Sequence, residues 1–388
     1  MKRLFIVIIS LIAHFSSAYS NPNISSLLDV KEPLSSYGTD PGATSEQVQQ
    51  RLEALNAQIE MRYTKEVHSF IDSYMKNGRK RVASLQILLS YYEPIFVKAL
   101  RDAGLPEELK YLPIIESGLK PRATSPKGAG GFWQFMPATA RGYKMTVNGT
   151  LDERCDPYIS SEKAAELLKK QYEKFGDWGL ALAAYNAGAG TVQKALKRAG
   201  GDPSKHTYWT VREYLPAETR KYVPKFIAIN YVMNYFKEHN IPTVNIDQTL
   251  ATDTIHVSSK SSLKKMASTL GVSIEDLKAL NPHFGTDVIP ATASRHCNLI
   301  APADKAKEYK MNLGRPVNES PVQTVKAEEK ATNPANPADM RKRKSRPSSV
   351  AYYDEPSSTM ANTFVRKRRM RGEGEAATMK DDGNSKQK

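Results

Sequence analysis

The sequence predicts a mainly α-helical protein: one helical domain over residues 44–240, a small βααβ unit over residues 252–303, and a disordered basic tail over residues 312–388. Three observations lead there. Apolar residues recur at helical spacing from Leu52 to the region of His239, period-two alternation first appears after residue 250, and apolar content collapses beyond Met311. At 388 residues the chain also exceeds one ordinary domain of ~100–200 residues.

Lys2 and Arg3 precede an apolar run from Leu4 to Phe15 and a small-residue stretch, Ser16-Ser17-Ala18-Tyr19-Ser20. This is the layout of a secretory signal peptide, here residues 1–20, and the run is shorter than the ~20 residues of a spanning helix. Residues 21–43, rich in Ser, Pro, Asn and Gly, read as a flexible arm. Leu52, Leu55 and Ile59 share a helix face, Phe70, Ile71 and Tyr74 mark a second helix, and Val82, Leu85, Leu88 and Leu89 a third that Pro94 breaks or restarts. Gly104 and Pro106 give a stop and a new start, with Glu107 and Glu108 in the first turn, where the helix dipole favours them. Ser160 or Ser161 caps a helix carrying Ala164, Leu167, Leu168, Tyr172 and Phe175, which Gly176 ends. Short helices over Trp178–Tyr185 and Thr191–Ala199 precede a long one from about Ala217 to His239. After a linker over residues 241–251, Thr254–Val257 alternates as a strand. Helices follow at Leu263–Leu270 and from the Ser273 cap to Leu280, and Asn298–Ile300 closes the unit as a strand.

A net charge of +15 favours an anionic partner: nucleic acid, an acidic membrane surface or an acidic cell-wall polymer. Export removes nucleic acid from that set and leaves a protein of the periplasm or cell envelope, with no stable membrane insertion once the signal is cleaved. From Arg315 onward sixteen Lys and Arg face ten Asp and Glu, so the tail holds +6 of the total. Its clusters Arg341–Lys344 and Arg366–Arg369 suit anionic envelope polymers or a merely solvating role, and its composition cannot offset the entropy of folding. Cys155 and Cys297 read as two unpaired structural thiols. The seven histidines show no metal-ligand spacing, so neither a metal nor another cofactor is expected.

Three blocks carry candidate chemistry. Glu116-Ser117 is followed by Ser125-Pro126-Lys127-Gly128-Ala129-Gly130-Gly131-Phe132-Trp133-Gln134-Phe135-Met136-Pro137; then come Ala184-Tyr185-Asn186-Ala187-Gly188 and Glu218-Thr219-Arg220-Lys221-Tyr222-Val223-Pro224. Glu116 ends the apolar segment Leu112–Ile115, where partial desolvation raises a carboxyl pKa. A glutamic acid tuned toward neutrality can give a proton and take it back. The glycines admit close backbone approach to a ligand, and Gln134, Asn186, Tyr185 and Tyr222 offer donors and acceptors beside aromatic faces. These residue types suit a sugar but do not by themselves name a reaction.

In order and in kind, the blocks resemble the motifs of lytic transglycosylases of the goose-lysozyme-like superfamily, most closely the membrane-bound lytic murein transglycosylase D type, over roughly residues 60–240. Glu-Ser, Gly-x-x-Gln-x-Met-Pro, Ala-Tyr-Asn-Ala-Gly and Glu-Thr-x-x-Tyr-Val-Pro-Lys (Glu218 to Lys225) are all present. The resemblance implies a lysozyme-like all-helical catalytic domain over residues 44–240 with Glu116 as the single catalytic acid/base. Ser117 and Ser125 would support it or contact the sugar, Gln134 and Met136 would line subsites, and Tyr185, Asn186 and Tyr222 would orient the carboxyl and the substrate. The implied reaction cleaves peptidoglycan glycan strands between N-acetylmuramic acid and N-acetylglucosamine, giving 1,6-anhydromuramic ends without water, metal or cofactor. Ordinary glycosidases use two carboxylates ~5–9.5 Å apart. Asp152, Glu153 and Asp156 are the candidates for a second one, although Asp152-Glu153-Arg154 reads better as an ion-paired turn. A hydrolytic muramidase and a non-catalytic peptidoglycan-binding scaffold are the alternatives. Phe132-Trp133 stand where many relatives have Leu-Met.

Residues 252–303 resemble a LysM domain, a peptidoglycan- and chitin-binding fold, best over Leu263–Phe284. That likeness implies a glycan groove flanked by Ser261, Ser262, Leu263, Asn281, Pro282 and His283, although Ser259-Lys260-Ser261 replaces the usual Gly-Asp before the first helix.

Overall fold

The computed structural model describes residues 39–243 and 251–313. The expected signal peptide, the arm before residue 39, most of the linker and the basic tail from residue 314 lie outside them.

Helix α1 (Ser45–Ala54) starts in a capping box, with the Thr44 hydroxyl accepting from Gln47 N and the Gln47 side chain accepting from Thr44 N. The end of the arm is tied down rather than loose: Asp40 Oδ1 lies 2.8 Å from His239 Nδ1, and Asn240 Nδ2 donates to Thr39 O at 3.0 Å. Helix α2 (Lys65–Asn77) buries Val67, Ile71 and Met75, one apolar stripe. Helix α3 (Arg79–Asp102) runs unbroken through Pro94, against the expected break. Proline costs the Ser90 carbonyl its i+4 partner. The buried Tyr92, Ile95, Phe96, Ala99 and Leu100 around it hold the helix together by packing.

A 3-10 turn over Glu107–Tyr111, entered from Pro106, leads into α4 (Leu112–Ser117). Helix α5 (Pro137–Gly142) follows the glycine-rich stretch. Helix α6 (Pro157–Phe175) is capped by Asp156, whose Oδ1 accepts from Tyr158 N and Ile159 N; the predicted caps Ser160 and Ser161 are buried inside its first turns. Pro157 at the first helical position explains the shift, since its fixed φ starts the helix before the serines. Helices α7 (Trp178–Ala187), α8 (Ala189–Ala199) and α9 (Tyr208–Val211) come next, with α6 packed on both α3 and α7.

The predicted helix from 217 to 239 is three pieces: a 3-10 turn over Thr219–Lys221, α10 (Tyr222–Tyr235), and a 3-10 turn over Lys237–His239. Pro224 has no N–H for the Arg220 carbonyl, which instead accepts from the Tyr208 hydroxyl at 2.6 Å. Helix α10 is buried nearly all round and packs on α2, so the domain is built about it.

In the second region β1 (Thr252–Val257) pairs antiparallel with β4 (Cys297–Pro302), and β2 (Ser261–Ser262) with β3 (Val288–Ile289). Between them lie α11 (Leu263–Leu270) and α12 (Ile274–Leu280), each capped by a serine, Ser262 and Ser273. The expected strand–helix–helix–strand order is present. A further helix, α13 (Ala303–Asn312), extends the unit beyond residue 303: it packs on β1 and β4, buries Ala306, and places Lys310 Nζ 2.7 Å from Asp253 Oδ2.

The unit is docked on the helical domain. Leu151 belongs to its apolar cluster, and Leu280 and Ile300 pack against Tyr91 and Tyr158. Leu151 and Phe284 form an antiparallel bridge, with Asp152 N donating to His283 O and Gly285 N to Thr150 O, both at 2.9 Å. Cys155 and Cys297 are both buried and unpaired, as expected from sequence, and burial pushes the Cys155 thiol up to about 12. Among the described residues no helix is long and apolar enough to cross a membrane, and no His/Cys/Asp/Glu group could hold a metal ion.

Candidate active site

Leu109, Leu112 and Ile114 anchor α4 in the core, and the chain leaves the helix at Gly118, so Glu116 projects from the last turn. The residue as a whole is half-buried. Burial pushes its pKa from the ordinary 4.5 to about 7; a hydrogen bond from Tyr222 and the charge of Lys225 pull it down, and Glu218 pushes it up. The Tyr222 hydroxyl donates to Glu116 Oε1. Among the described residues no hydrogen bond to Oε2 is present. Tyr185 also lies close enough for the Glu116 charge to raise its pKa further.

Tyr185 and Asn186 occupy the last turns of α7. The Tyr185 hydroxyl donates to Trp133 O at 2.7 Å, which ties the glycine-rich segment to the helix bearing the tyrosine. Asn186 Oδ1 accepts from Thr219 Oγ1 at 3.0 Å, linking α7 to the turn that precedes Tyr222. Gln134 has a left-handed backbone, φ +50°, uncommon for a non-glycine residue. Its Nε2 donates to Gly131 O at 2.8 Å and Ala123 O at 3.1 Å, an orientation fixed because a flipped amide would face two carbonyls with its oxygen. Met136 is 43 % exposed at the start of α5.

Ser117 turns onto its own helix, donating to Pro113 O at 2.9 Å, and Ser125 Oγ accepts from Ala129 N at 3.0 Å and so holds the glycine turn. Both serines thus support the backbone around the site. Phe132 and Trp133 are wholly buried against Tyr92 and Phe96, and Trp133 Nε1 donates to Ser161 Oγ at 2.9 Å. The departure at these two positions is therefore a change of core rather than of subsite.

The candidate second carboxylates are all engaged elsewhere. Asp152 pairs with Arg154 through both oxygens, at 2.9 and 2.7 Å, Glu153 accepts from Thr146 N, and Asp156 caps α6. Sequence reasoning assigned no role to Glu218 and Lys225, the two charges that bear on Glu116. Their motif was visible, but only the fold shows that it turns back onto α4.

Of the residues expected around a glycan groove in the second region, Leu263 is in its core at 1 % exposed, and Asn281, Pro282 and His283 are buried at the docking seam. Asn281 joins α12 to β4, donating to Ile300 O and accepting from Ile300 N, both at 2.7 Å. The reason is burial: this turn is covered by residues 150–156. Ser261 and Ser262 stay half-buried, Ser262 as the α11 cap.

Residues 93–207 match the family described as the transglycosylase SLT domain. Residues 251–317 match the LysM-like domain of lytic transglycosylase MltD, which names the docked unit. The membrane-bound lytic murein transglycosylase D of Escherichia coli (strain K12) is 31 % identical over 215 residues, 55 % of this chain and 47 % of that protein, so the chain spans about half the length of this relative. A transglycosylase of Enterobacteria phage PRD1 is 38 % identical over 82 residues, 21 % of this chain and 29 % of the phage protein. The 70 kDa soluble lytic transglycosylase of Escherichia coli is 22 % identical with a TM-score of 0.33, covering 46 % of this chain and 32 % of that one. Glu116, Gln134, Tyr185 and Asn186 all lie inside the SLT domain, whereas Tyr222, which completes the hydrogen bond to Glu116, lies beyond its matched limit.

Proposed function

We propose that this chain is a peptidoglycan lytic transglycosylase that cleaves the β-1,4 bond between N-acetylmuramic acid and N-acetylglucosamine and leaves 1,6-anhydromuramic ends. The carrying observation is a single carboxyl, Glu116, raised to about 7 by burial and held by Tyr222 through one oxygen, while Asp152, Glu153 and Asp156 serve structure.

In the proposed cycle protonated Glu116 gives its proton to the bridging oxygen as the C1–O bond breaks. The muramic C6 hydroxyl then forms a bond to C1 and returns its proton to Glu116, so atoms balance without water. A pKa near neutrality serves both half-steps. Tyr222 keeps the carboxylate oriented between them, and Gln134 and Met136 line the adjoining subsites. Export to the periplasm or cell envelope fits this substrate, Ser261 and Ser262 are the remaining candidates for glycan contact in the LysM-like domain, and the basic tail supplies attraction to anionic envelope polymers.

Mass spectrometry of digested sacculi tests the reading. Anhydro ends are expected from the wild type, with release falling ~10²–10⁴-fold in Glu116→Gln. Reducing ends heavier by one water would establish a hydrolytic muramidase instead, and equally small release from both proteins would leave a non-catalytic scaffold.

A further inference from the structure

The turn His283–Gly285 of the LysM-like domain touches the catalytic domain at the two places that hold Gln134. Along the first route, His283 O accepts from Asp152 N at 2.9 Å, and the Asp152 carboxylate grips Arg154 through both oxygens. Arg154, 7 % exposed, directs Nη1 at two carbonyls of the glycine-rich loop, Gly128 O at 2.8 Å and Phe135 O at 3.1 Å. The loop lies so tightly on this arginine that a Cβ on Gly130 would stand 2.7 Å from its guanidinium carbon, and one on Gly131 1.8 Å from its carbonyl oxygen. Along the second route, Phe284 O accepts from Arg122 Nη2 at 2.6 Å; the next residue, Ala123, offers its carbonyl to both Gly131 N at 3.0 Å and Gln134 Nε2 at 3.1 Å. Gln134 sits between these anchors in a left-handed backbone that its neighbours must impose.

We infer that the LysM-like domain is an integral brace of the catalytic loop, with Arg154 as a positioning residue that transmits docking of the 283–285 turn to Gln134. The inference rests on the transglycosylase reading for its activity assay but not for its structural one. A domain that served only to tether the enzyme to the wall would matter for insoluble sacculi and not for a short soluble glycan. A brace matters for both, because a misplaced subsite wall costs binding however the substrate is delivered.

The test uses the full chain with three substitutions. Gly285→Val drives a side chain into Gly149 O, which lies 2.1 Å from a Cβ at that position. Arg122→Met removes the donor to Phe284 O from an exposed residue, and Arg154→Lys keeps the charge opposite Asp152 but loses the planar fork. Initial rates are read on sacculi and on a soluble tetrasaccharide of alternating N-acetylglucosamine and N-acetylmuramic acid, together with amide hydrogen exchange over residues 123–135. The expected result is a KM on the tetrasaccharide raised about tenfold or more, an unchanged upper limb of the pH profile, and faster exchange in that loop for every folded variant. Loss on sacculi alone, with tetrasaccharide kinetics and loop exchange as in the wild type, overturns the brace. A wild type that cuts neither substrate refutes the enzymatic reading instead, and loop exchange then still decides the brace.

Discussion

Glu116 is the residue on which the chemistry turns, and its environment predicts a cost to stability. Between pH 4.5 and about 7 the folded protein keeps a proton that the unfolded chain has released, so stability is lost as pH rises through that window and is unaffected by this group below it. A shift of that size corresponds to ~3 kcal/mol. Glu116→Gln, neutral at all pH, is therefore expected to raise the melting temperature at pH 8 and leave it unchanged at pH 4; equal effects at both would contradict the raised pKa. The proton-donating form also disappears above about 7, so kcat/KM is expected to fall there. In Tyr222→Phe the falling limb moves to higher pH, because the hydrogen bond removed is one that lowers the Glu116 pKa. The desolvation was legible in Leu112–Ile115 preceding the glutamate. The tyrosine partner was named only through resemblance, since 106 residues separate it from Glu116 and no spacing rule spans that distance.

Among the elements, the glycine-rich segment shows which small residues are obligatory. Gly131 combines φ +80° with the Arg154 carbonyl 1.8 Å from a would-be Cβ, whereas Gly128, at φ +84°, has nothing within 4 Å. Gly128→Ala is expected to cost ~1–2 kcal/mol in urea denaturation, the penalty of a left-handed backbone alone. Gly131→Ala should cost more than ~4 kcal/mol or prevent folding, because backbone must move. Asp156→Ala, at the α6 cap, is expected to lose ~0.5–2 kcal/mol while Ser160→Ala, inside the helix, tests the rejected cap. Helix positions were readable from apolar periodicity, and Ser262 and Ser273 lie where capping chemistry puts them. Pro94 was misjudged as a break, and the helix expected from 217 to 239 was drawn as continuous. At Pro94 tertiary packing overrode a helix breaker, and at Pro224 a distant tyrosine took the orphaned carbonyl and let a predicted continuous helix divide.

For the molecule as a whole, the packed and hydrogen-bonded seam between the helical domain and the second unit predicts that the two unfold together. Scanning calorimetry is expected to show a single transition for both, and Leu280→Asp, which places a charge between Ile300 and Tyr91, should split it in two. Two transitions already in the wild type would show that the seam is not cooperative. Sequence reading gave both units but not their union, nor α13. Docking surfaces are built from loops far apart in the chain, Thr150–Asp156 against His283–Gly285, and such contacts leave no period to read. For the same reason the expected glycan-facing turn proved to be the docking turn.

The two sequestered sulfurs offer a way to watch that union in solution. Cys155 lies within the loop that receives the 283–285 turn, and Cys297 opens β4 within reach of the charges of Arg295 and Glu153. Both are buried, at 8 % and 4 % exposed. Their rate of alkylation by a maleimide is therefore expected to report opening of the seam, at native pH and with no cysteine engineered in.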